Sequence, residues 1–136
     1  MSHENVDMVR RAVEAFNRRD LAELAVLSDA DLEFVSVLTA VDTEEATYRG
    51  NQAWASYFAD IDRVWTEWQI EDLRVFDVGD DRIAAVFRIV GKGRQSGVPV
   101  ERMVGITYGI RQGKLWRMRS YPEPSEALEA VGLRGG

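Results

Sequence analysis

Apolar side chains recur at helical spacing near the start of the chain. The apolar positions step by three and four residues, with charged residues between them: Val6, Val9, Val13 and Phe16. This period is typical of an amphipathic helix, which we predict over residues 5–19. Asp20 can cap a second short helix over residues 20–27, because Glu23 stands three positions later, as in a capping box.

A second helical pattern, over residues 51–68, is strongly aromatic. Its apolar positions again step by three and four: Trp54, Tyr57, Phe58, Ile61, Trp65 and Trp68. We therefore predict one long helix here, and its aromatic face must cover a large apolar surface.

Runs rich in Val, Ile, Phe and Tyr predict the strands. The first covers residues 32–38 and is followed by a polar loop over residues 39–49. Four more runs follow the aromatic helix, at residues 70–78, 82–90, 100–111 and 115–121. Turn residues separate these four runs, so we expect antiparallel hairpins. A short helix over residues 125–131 then ends at Gly132.

This order of elements predicts an α+β fold, with three helices from the first half of the chain packed on one side of a curved antiparallel sheet. The length of 136 residues suits one domain over residues 1–136. No internal repeat or low-complexity linker divides it.

The charge of the chain argues against a nucleic-acid partner. The formal net charge is −6, so the summed field repels polyanions. The nearest approach to a basic patch is the group Arg111, Lys114, Arg117 and Arg119, which we interpret as a solvated or subunit-facing surface.

Residue usage also narrows the chemistry. The chain has no cysteine and a single histidine, His3, so thiolate and histidine catalysis and Cys- or His-based metal sites are not expected. The glycines of residues 91–97 match no phosphate-loop spacing, and we expect no cofactor and no metal, although a carboxylate-only metal site stays open. No long apolar stretch or leader pattern is present, so we expect a cytoplasmic protein with no membrane partner.

Three short segments carry a resemblance to a known family. They are Tyr48-Arg49-Gly50, the glycine-containing run 91–97, and the ending 126–133. With the element order, they resemble SnoaL-like proteins of the nuclear-transport-factor-2-like superfamily, over almost the whole chain. The resemblance implies a cone-shaped (cystatin-like) fold that encloses a small-molecule pocket, and a homodimer formed through the sheet face. Because the superfamily includes isomerases, cyclases, hydrolases and binding modules, the resemblance implies no single activity.

The residues that ketosteroid isomerases use are replaced here. At the positions of their two oxyanion-binding residues and their base, the resemblance places Phe16, Ile106 and Phe34. None of the three can donate a hydrogen bond to an enolate or accept a proton from carbon. Steroid isomerase chemistry in its familiar form is therefore not expected.

The limonene-type epoxide hydrolases are matched only in part. Their pocket arginine corresponds to Arg88, but their paired aspartates correspond to Val90 and Ser120. An arginine alone stays protonated and cannot act as a general base. The polyketide cyclases need a pocket aspartate, and the expected inward face of the last strand offers no carboxylate: Trp116, Met118 and Ser120.

Alternation along the strands predicts the pocket lining. If Ile106 points inward, Arg102 and Tyr108 do as well, and we expect Arg88 to point inward on the neighbouring strand. A register error of one residue would instead turn Met103 inward. The candidate ligand-binding residues are Phe16, Phe34, Tyr48, Trp54, Tyr57, Phe58, Trp65, Arg88, Arg102, Ile106, Tyr108, Trp116, Met118 and Ser120. Such a pocket would suit an apolar or anionic small molecule, although Glu33 is an alternative partner for either arginine.

Glu33 and Tyr108 are the candidate catalytic residues. Glu33 stands next to the position where the isomerases keep their base, and its alternative role is a salt bridge. Asp42, Glu44 and Glu45 are interpreted as solvated loop residues.

Three hypotheses remain. The first is a small-molecule-binding protein; the second is a cofactor-independent isomerase, cyclase or hydrolase with Glu33 as base and with Tyr108 or Arg102 stabilising an oxyanion. The third is a dimeric structural module in which Arg117, Arg119 and Tyr121 contribute to the interface.

Overall fold

The computed structural model describes residues 3–37 and 46–133, and it has the predicted α+β class. A 3-10 turn at Gly50–Gln52 joins β2 to α3. The elements in chain order are α1 (His3–Arg18), α2 (Leu21–Leu27), β1 (Ser28–Ser36), β2 (Ala46–Arg49), α3 (Ala53–Val64), β3 (Trp65–Gly79), β4 (Arg82–Gly93), β5 (Pro99–Arg111), β6 (Lys114–Tyr121) and α4 (Pro124–Ala130).

The strands form one open curved sheet in the order β2-β1-β6-β5-β4-β3. The strands from β3 to β6 pair as consecutive antiparallel hairpins, as expected. The expectation of a wholly antiparallel sheet is wrong at one place, because β1 pairs with β6 in parallel. The first long strand, β1, and the last strand, β6, therefore run in the same direction.

Two elements differ from the sequence prediction around the aromatic helix. The end of the predicted loop forms the short strand β2, while residues 38–45 lie outside the described residues. Helix α3 ends at Val64 rather than at residue 68, since Trp65 takes an extended conformation and pairs with Gly93. Trp65 and Trp68 therefore belong to β3, and only the first part of the aromatic pattern is helical.

The sheet has two covered faces. Helices α1 and α3 pack on the face that we call the inner face, where most of the core lies. Helix α4 packs on the opposite, outer face, where Gly105 lies directly under Ala127 and Pro124. Asn17 ties the end of α1 to β3, because its side chain accepts a hydrogen bond from the Ile70 amide and donates one to the Ile70 carbonyl.

Helix α2 shows one half of the predicted capping box, and the Glu23 side chain is instead paired with Arg11. Asp20 Oδ1 accepts a hydrogen bond from the Glu23 amide at 3.0 Å, which fixes the start of α2. Helix α4 begins with a capping box between Glu123 and Glu126, with Pro124 in the first turn. Over the part of the chain that is described, no helix is long and apolar enough to cross a membrane.

Candidate functional site

A small cavity lies between helices α1 and α3 and the inner face of the sheet. Its volume is about 30 Å³, which is enough for water but far below the roughly 300–1,000 Å³ of typical ligand pockets. A ring-sized ligand could enter only if lining side chains moved. The lining residues are Ala12, Val13, Phe16, Phe34, Trp54, Tyr57, Ile70, Phe87, Ile89, Ile106, Tyr108, Met118 and Ser120.

Aromatic rings form one wall of the cavity. The ring of Phe34 lies 4.9 Å from that of Tyr57 and 5.7 Å from that of Trp54, centroid to centroid. Phe16 on α1 closes the group, with its ring 6.0 Å from Tyr57. The rings meet edge-on or tilted, which is the favoured geometry for aromatic pairs. The start of the aromatic stripe of α3 thus faces the site, as the sequence indicated.

Three hydroxyl groups supply the polarity of the wall. The Ser120 hydroxyl accepts a hydrogen bond from the Val37 amide at 2.9 Å. The Tyr57 hydroxyl shares a hydrogen bond with Ser36. Burial raises the pKa of Tyr57 well above its usual value, and the Ser36 hydrogen bond opposes this only in part. The Tyr57 phenol is therefore protonated at neutral pH.

The third hydroxyl belongs to Tyr108, which is 5% exposed. Within residues 3–37 and 46–133 the Tyr108 hydroxyl has no hydrogen-bond partner, and the side chain lines the cavity. Burial, with a smaller effect from Tyr57, raises the pKa of Tyr108. Tyr108 thus presents a neutral phenol at the cavity wall.

Among the described residues, no carboxylate, imidazole or cationic side chain lines the cavity. The same part of the chain holds no cluster of three or more His, Asp or Glu side chains that could bind a metal ion. The described wall can bind apolar surface and exchange neutral hydrogen bonds, but it offers no general base.

Glu33, expected beside the pocket, lies on the outer face of the sheet. Its neighbour Phe34 lines the cavity, so alternation along β1 turns Glu33 the other way. Its carboxylate accepts a hydrogen bond from Arg49 Nε at 3.0 Å. The alternative role, a salt bridge, is the one observed, and Glu33 cannot reach a molecule in the cavity.

Arg88 is also on the outer face, against expectation. Phe87 and Ile89, on either side of it, line the cavity. Its guanidinium lies 2.8 Å from Glu71, 3.1 Å from Asp72 and 3.5 Å from Glu101. These carboxylates, Asp72 foremost, raise the pKa of Arg88. Arg88 is thus held by carboxylates of the neighbouring strands and is not available to a ligand in the cavity.

Arg102 follows the expected alternation but does not reach the cavity. It pairs with Ile89 and shares a face with Val104 and Ile106, yet it is exposed, beyond the covered part of β5. Met103, the alternative, is 48% exposed. Neither residue lines the site.

Trp116 also lies away from the cavity, against expectation. A register irregularity at Gly109 and Ile110 puts Leu115, not Trp116, on the inner face. Trp116 instead lies on the outer face, where the guanidinium groups of Arg111 and Arg117 are 4.3 Å and 4.0 Å from its ring centroid. Met118 and Ser120 do line the cavity, as expected.

The remaining candidates lie around the site rather than in its wall. Tyr48 is buried against Phe34 and donates a hydrogen bond to Asp60 at 2.6 Å. Phe58 packs on Phe16, and Trp65 packs against the core at the start of β3. Asp42, Glu44 and Glu45 lie outside the described residues.

Sequence reasoning missed five lining residues: Ala12, Val13, Ile70, Phe87 and Ile89. Val13 stood in the helical stripe of α1 and could have been chosen from that signal. Phe87 and Ile89 could not, because β4 is apolar on both of its faces and shows no alternation.

Comparison with known proteins identifies a family for most of the chain. The family model for the SnoaL-like domain matches residues 9–118. No curated protein sequence matches the chain.

Similar solved structures agree on the fold. A candidate polyketide cyclase from Xanthomonas campestris pv. campestris has a TM-score of 0.74 at 19% identity, over 95% of this chain and 97% of that one. A nuclear-transport-factor-2-like protein of unknown function from Burkholderia pseudomallei K96243 has a TM-score of 0.77 at 16% identity, over 97% and 99%. TerC, co-crystallised with polyporic acid, has a TM-score of 0.75 at 16% identity, over 94% and 98%. At these identities the similarity establishes the fold alone.

Proposed function

The chain belongs to the SnoaL-like domain family, and on that premise we propose that it binds a small, apolar, uncharged molecule between α1, α3 and the inner face of the sheet. One observation carries the proposal: the described cavity wall consists of apolar and aromatic side chains with three hydroxyls and no ionised group. The expected binding of an anion by arginines is not carried forward, because Arg88 and Arg102 lie away from this wall.

The absence of charge in the described wall sets the preference for a neutral ligand. Transfer of an unpaired anion from water into an apolar interior costs far more than a hydroxyl hydrogen bond returns. A neutral aromatic molecule loses little hydration on entry and gains contact with the rings of Phe16, Phe34 and Trp54.

The small volume requires the wall to adapt. Met118 lines the cavity and is 5% exposed; its unbranched side chain can adopt several shapes at low cost. Rotation of Met118 would open room for a ring system while the hydrogen-bonded Trp54 stays in place. The co-crystallisation of TerC with polyporic acid supports the view that this fold can accommodate an organic acid of that kind, but the wall described here favours uncharged compounds.

The enzyme hypothesis lacks the general base that was proposed for it, since Glu33 is paired with Arg49 on the outer face. The role of Tyr108 in stabilising an oxyanion stays a prediction. We therefore put binding ahead of catalysis.

Two naphthalenes of nearly equal shape test the proposal. We expect 2-acetylnaphthalene, a neutral ketone, to raise the melting temperature and to appear as a 1:1 complex in native mass spectrometry. The anion 2-naphthoate should bind at least about tenfold more weakly, because the described wall offers it no cation.

Matched substitutions locate the binding. Ala12→Leu adds bulk at the cavity wall, where Ala12 is 5% exposed, and should weaken ketone binding about tenfold. Ala25→Leu adds the same bulk on the exposed side of α2 and should leave binding unchanged. Tighter binding of the naphthoate, or no binding of any neutral aromatic compound, would refute the proposal.

A further inference from the structure

We infer that Tyr108 is the residue that selects the ligand, by donating one hydrogen bond to a neutral carbonyl oxygen, so that the ligand class is an uncharged aromatic ketone or quinone. This inference rests on the proposed function and adds to it the group that recognises the ligand. Tyr108 is proposed as a specificity-determining residue, not as an acid or a base.

Tyr108 is an exception in its surroundings. The other polar side chains near the aromatic core have partners. Trp54 Nε1 donates to Ser28 Oγ at 2.9 Å, Trp68 Nε1 donates to Asp62 at 2.6 Å, and Tyr57 is bonded to Ser36. Within the described chain, Tyr108 is the one of the two cavity phenols whose hydroxyl lacks such a partner.

The unpaired hydroxyl of Tyr108 has an energetic cost. A buried hydroxyl without a hydrogen bond is unfavourable, and most such groups in folded proteins are paired. Tyr108 stands opposite Ile83 of β4 and Met118 of β6 in the register of the sheet, and its side chain lines the cavity. A ligand acceptor would satisfy its hydroxyl.

The protonation of Tyr108 makes it a hydrogen-bond donor to the ligand. Burial keeps the Tyr108 phenol protonated at neutral pH, so it can donate to a carbonyl but cannot remove a proton. The side chains that share the sheet face around it are apolar, Ile106 and Ile110 among them. A ligand that matches this wall has one acceptor on an otherwise apolar, ring-containing body.

A comparison of two ligands on two proteins tests the inference. The ligands are 2-acetylnaphthalene and 2-ethylnaphthalene, which differ mainly in the carbonyl oxygen, and the proteins are wild type and Tyr108→Phe. We expect wild type to prefer the ketone about five- to tenfold. Tyr108→Phe should lose that preference while it binds the hydrocarbon as well as wild type does.

Two further readouts separate recognition from structure. The infrared carbonyl stretch of the bound ketone should shift to lower frequency in wild type and not in Tyr108→Phe. The melting temperature of ligand-free Tyr108→Phe should equal or exceed that of wild type, since an unpaired hydroxyl is removed. Tyr57→Phe, at a hydroxyl already bonded to Ser36, should keep the ketone preference.

The outcomes distinguish the two proposals. If both naphthalenes bind wild type equally, or if Tyr108→Phe retains the preference and the infrared shift, the assignment of Tyr108 is overturned while binding in the cavity stands. If neither naphthalene binds wild type, both proposals fall. A lower melting temperature for Tyr108→Phe would mean that the hydroxyl has an internal partner, and it would also overturn the assignment.

Discussion

Arg111 joins the end of β5 to the start of β1 through carboxylates. Its guanidinium lies 2.9 Å from Asp29 Oδ1 and 3.5 Å from Asp31 Oδ2. The hydrogen bond from Arg111 is the main cause that lowers the pKa of Asp29, and a hydrogen bond from the Asp31 amide adds to it. A single side chain thus connects two strands that are distant in sequence.

This lowered pKa predicts a pH-dependent contribution to stability. Because the folded-state pKa of Asp29 lies below the unfolded-state value, roughly 3.9, the stabilisation is present above that value and is lost as the pH falls through the folded pKa. Asp29→Asn should therefore reduce the free energy of unfolding at pH 7 and make little difference near pH 2. Urea denaturation at both pH values measures this.

Asp31→Asn is the matched control, since Asp31 faces the same arginine but its side chain is 82% exposed. It should have a smaller effect at pH 7. An equal loss for Asp29→Asn at pH 7 and pH 2 would show that the loss does not come from the ion pair.

At the residue scale, several of the predicted aromatic residues line the cavity, whereas the predicted charged residues do not. Helical spacing predicted the stripes that contain Phe16 and Tyr57, whereas Phe34, and the assignment of all three residues to a pocket, followed from the family resemblance. The position of Arg88 does not follow from spacing, because it depends on which face of β4 meets the helices, and both faces are apolar: Ala84 and Val86 are buried on the outer side. Strand alternation is informative only where one face is solvated.

At the scale of elements, the packing of α4 on β5 depends on one glycine. A Cβ at Gly105 would lie 2.6 Å from the Ala127 Cβ and 2.9 Å from the Pro124 Cα. Gly105→Ala should therefore destabilise the protein by about 2 kcal/mol through overpacking, as measured by chemical denaturation.

Gly109→Ala provides the comparison on the same strand and face. There a Cβ would meet the Trp116 side chain at 3.2 Å, and that half-exposed side chain can move aside. Its effect should be well below that of Gly105→Ala. If the two variants were equally stable, α4 would not be held as tightly as described.

The boundaries of the elements show where the sequence pattern misled. The spacing of Trp65 and Trp68 continues that of α3, yet both belong to β3, because pairing with β4 outweighs a short continuation of the helix. Likewise, a local irregularity in β6 exchanges Leu115 for Trp116 on the inner face. Periodicity cannot reveal such bulges, which depend on the partner strand.

At the scale of the whole molecule, we expect the outer face to pair two copies of this chain. A groove of about 550 Å³ runs over it, with Trp116 and Tyr121 in its lining. The groove carries Glu33, Asp80 and Asp81 together with Arg82, Arg117 and Arg119. A two-fold contact brings such a mixed surface against itself, so opposite charges can meet.

Sedimentation velocity measures this association. Wild type should sediment as a dimer at micromolar concentration, and Trp116→Ala should shift it toward monomer, because tryptophan and arginine dominate many interfaces. Val26→Ala, at a 62% exposed position on α2, should have no effect. Wild-type sedimentation as a monomer throughout would exclude the dimer.

The parallel pairing of β1 with β6 has a consequence for synthesis of the protein on the ribosome. Phe34 pairs with Met118, so β1 acquires its central partner only after β6, more than 80 positions later in the sequence (118 minus 34 is 84), has been made. Contacts of such long range slow folding. Until then, the aromatic rings of α1 and α3 have no complete sheet to cover them, and the nascent chain exposes the kind of surface that aggregates or binds chaperones. The synthesis of β6 therefore determines when the sheet can cover the aromatic surface in the first half of the chain.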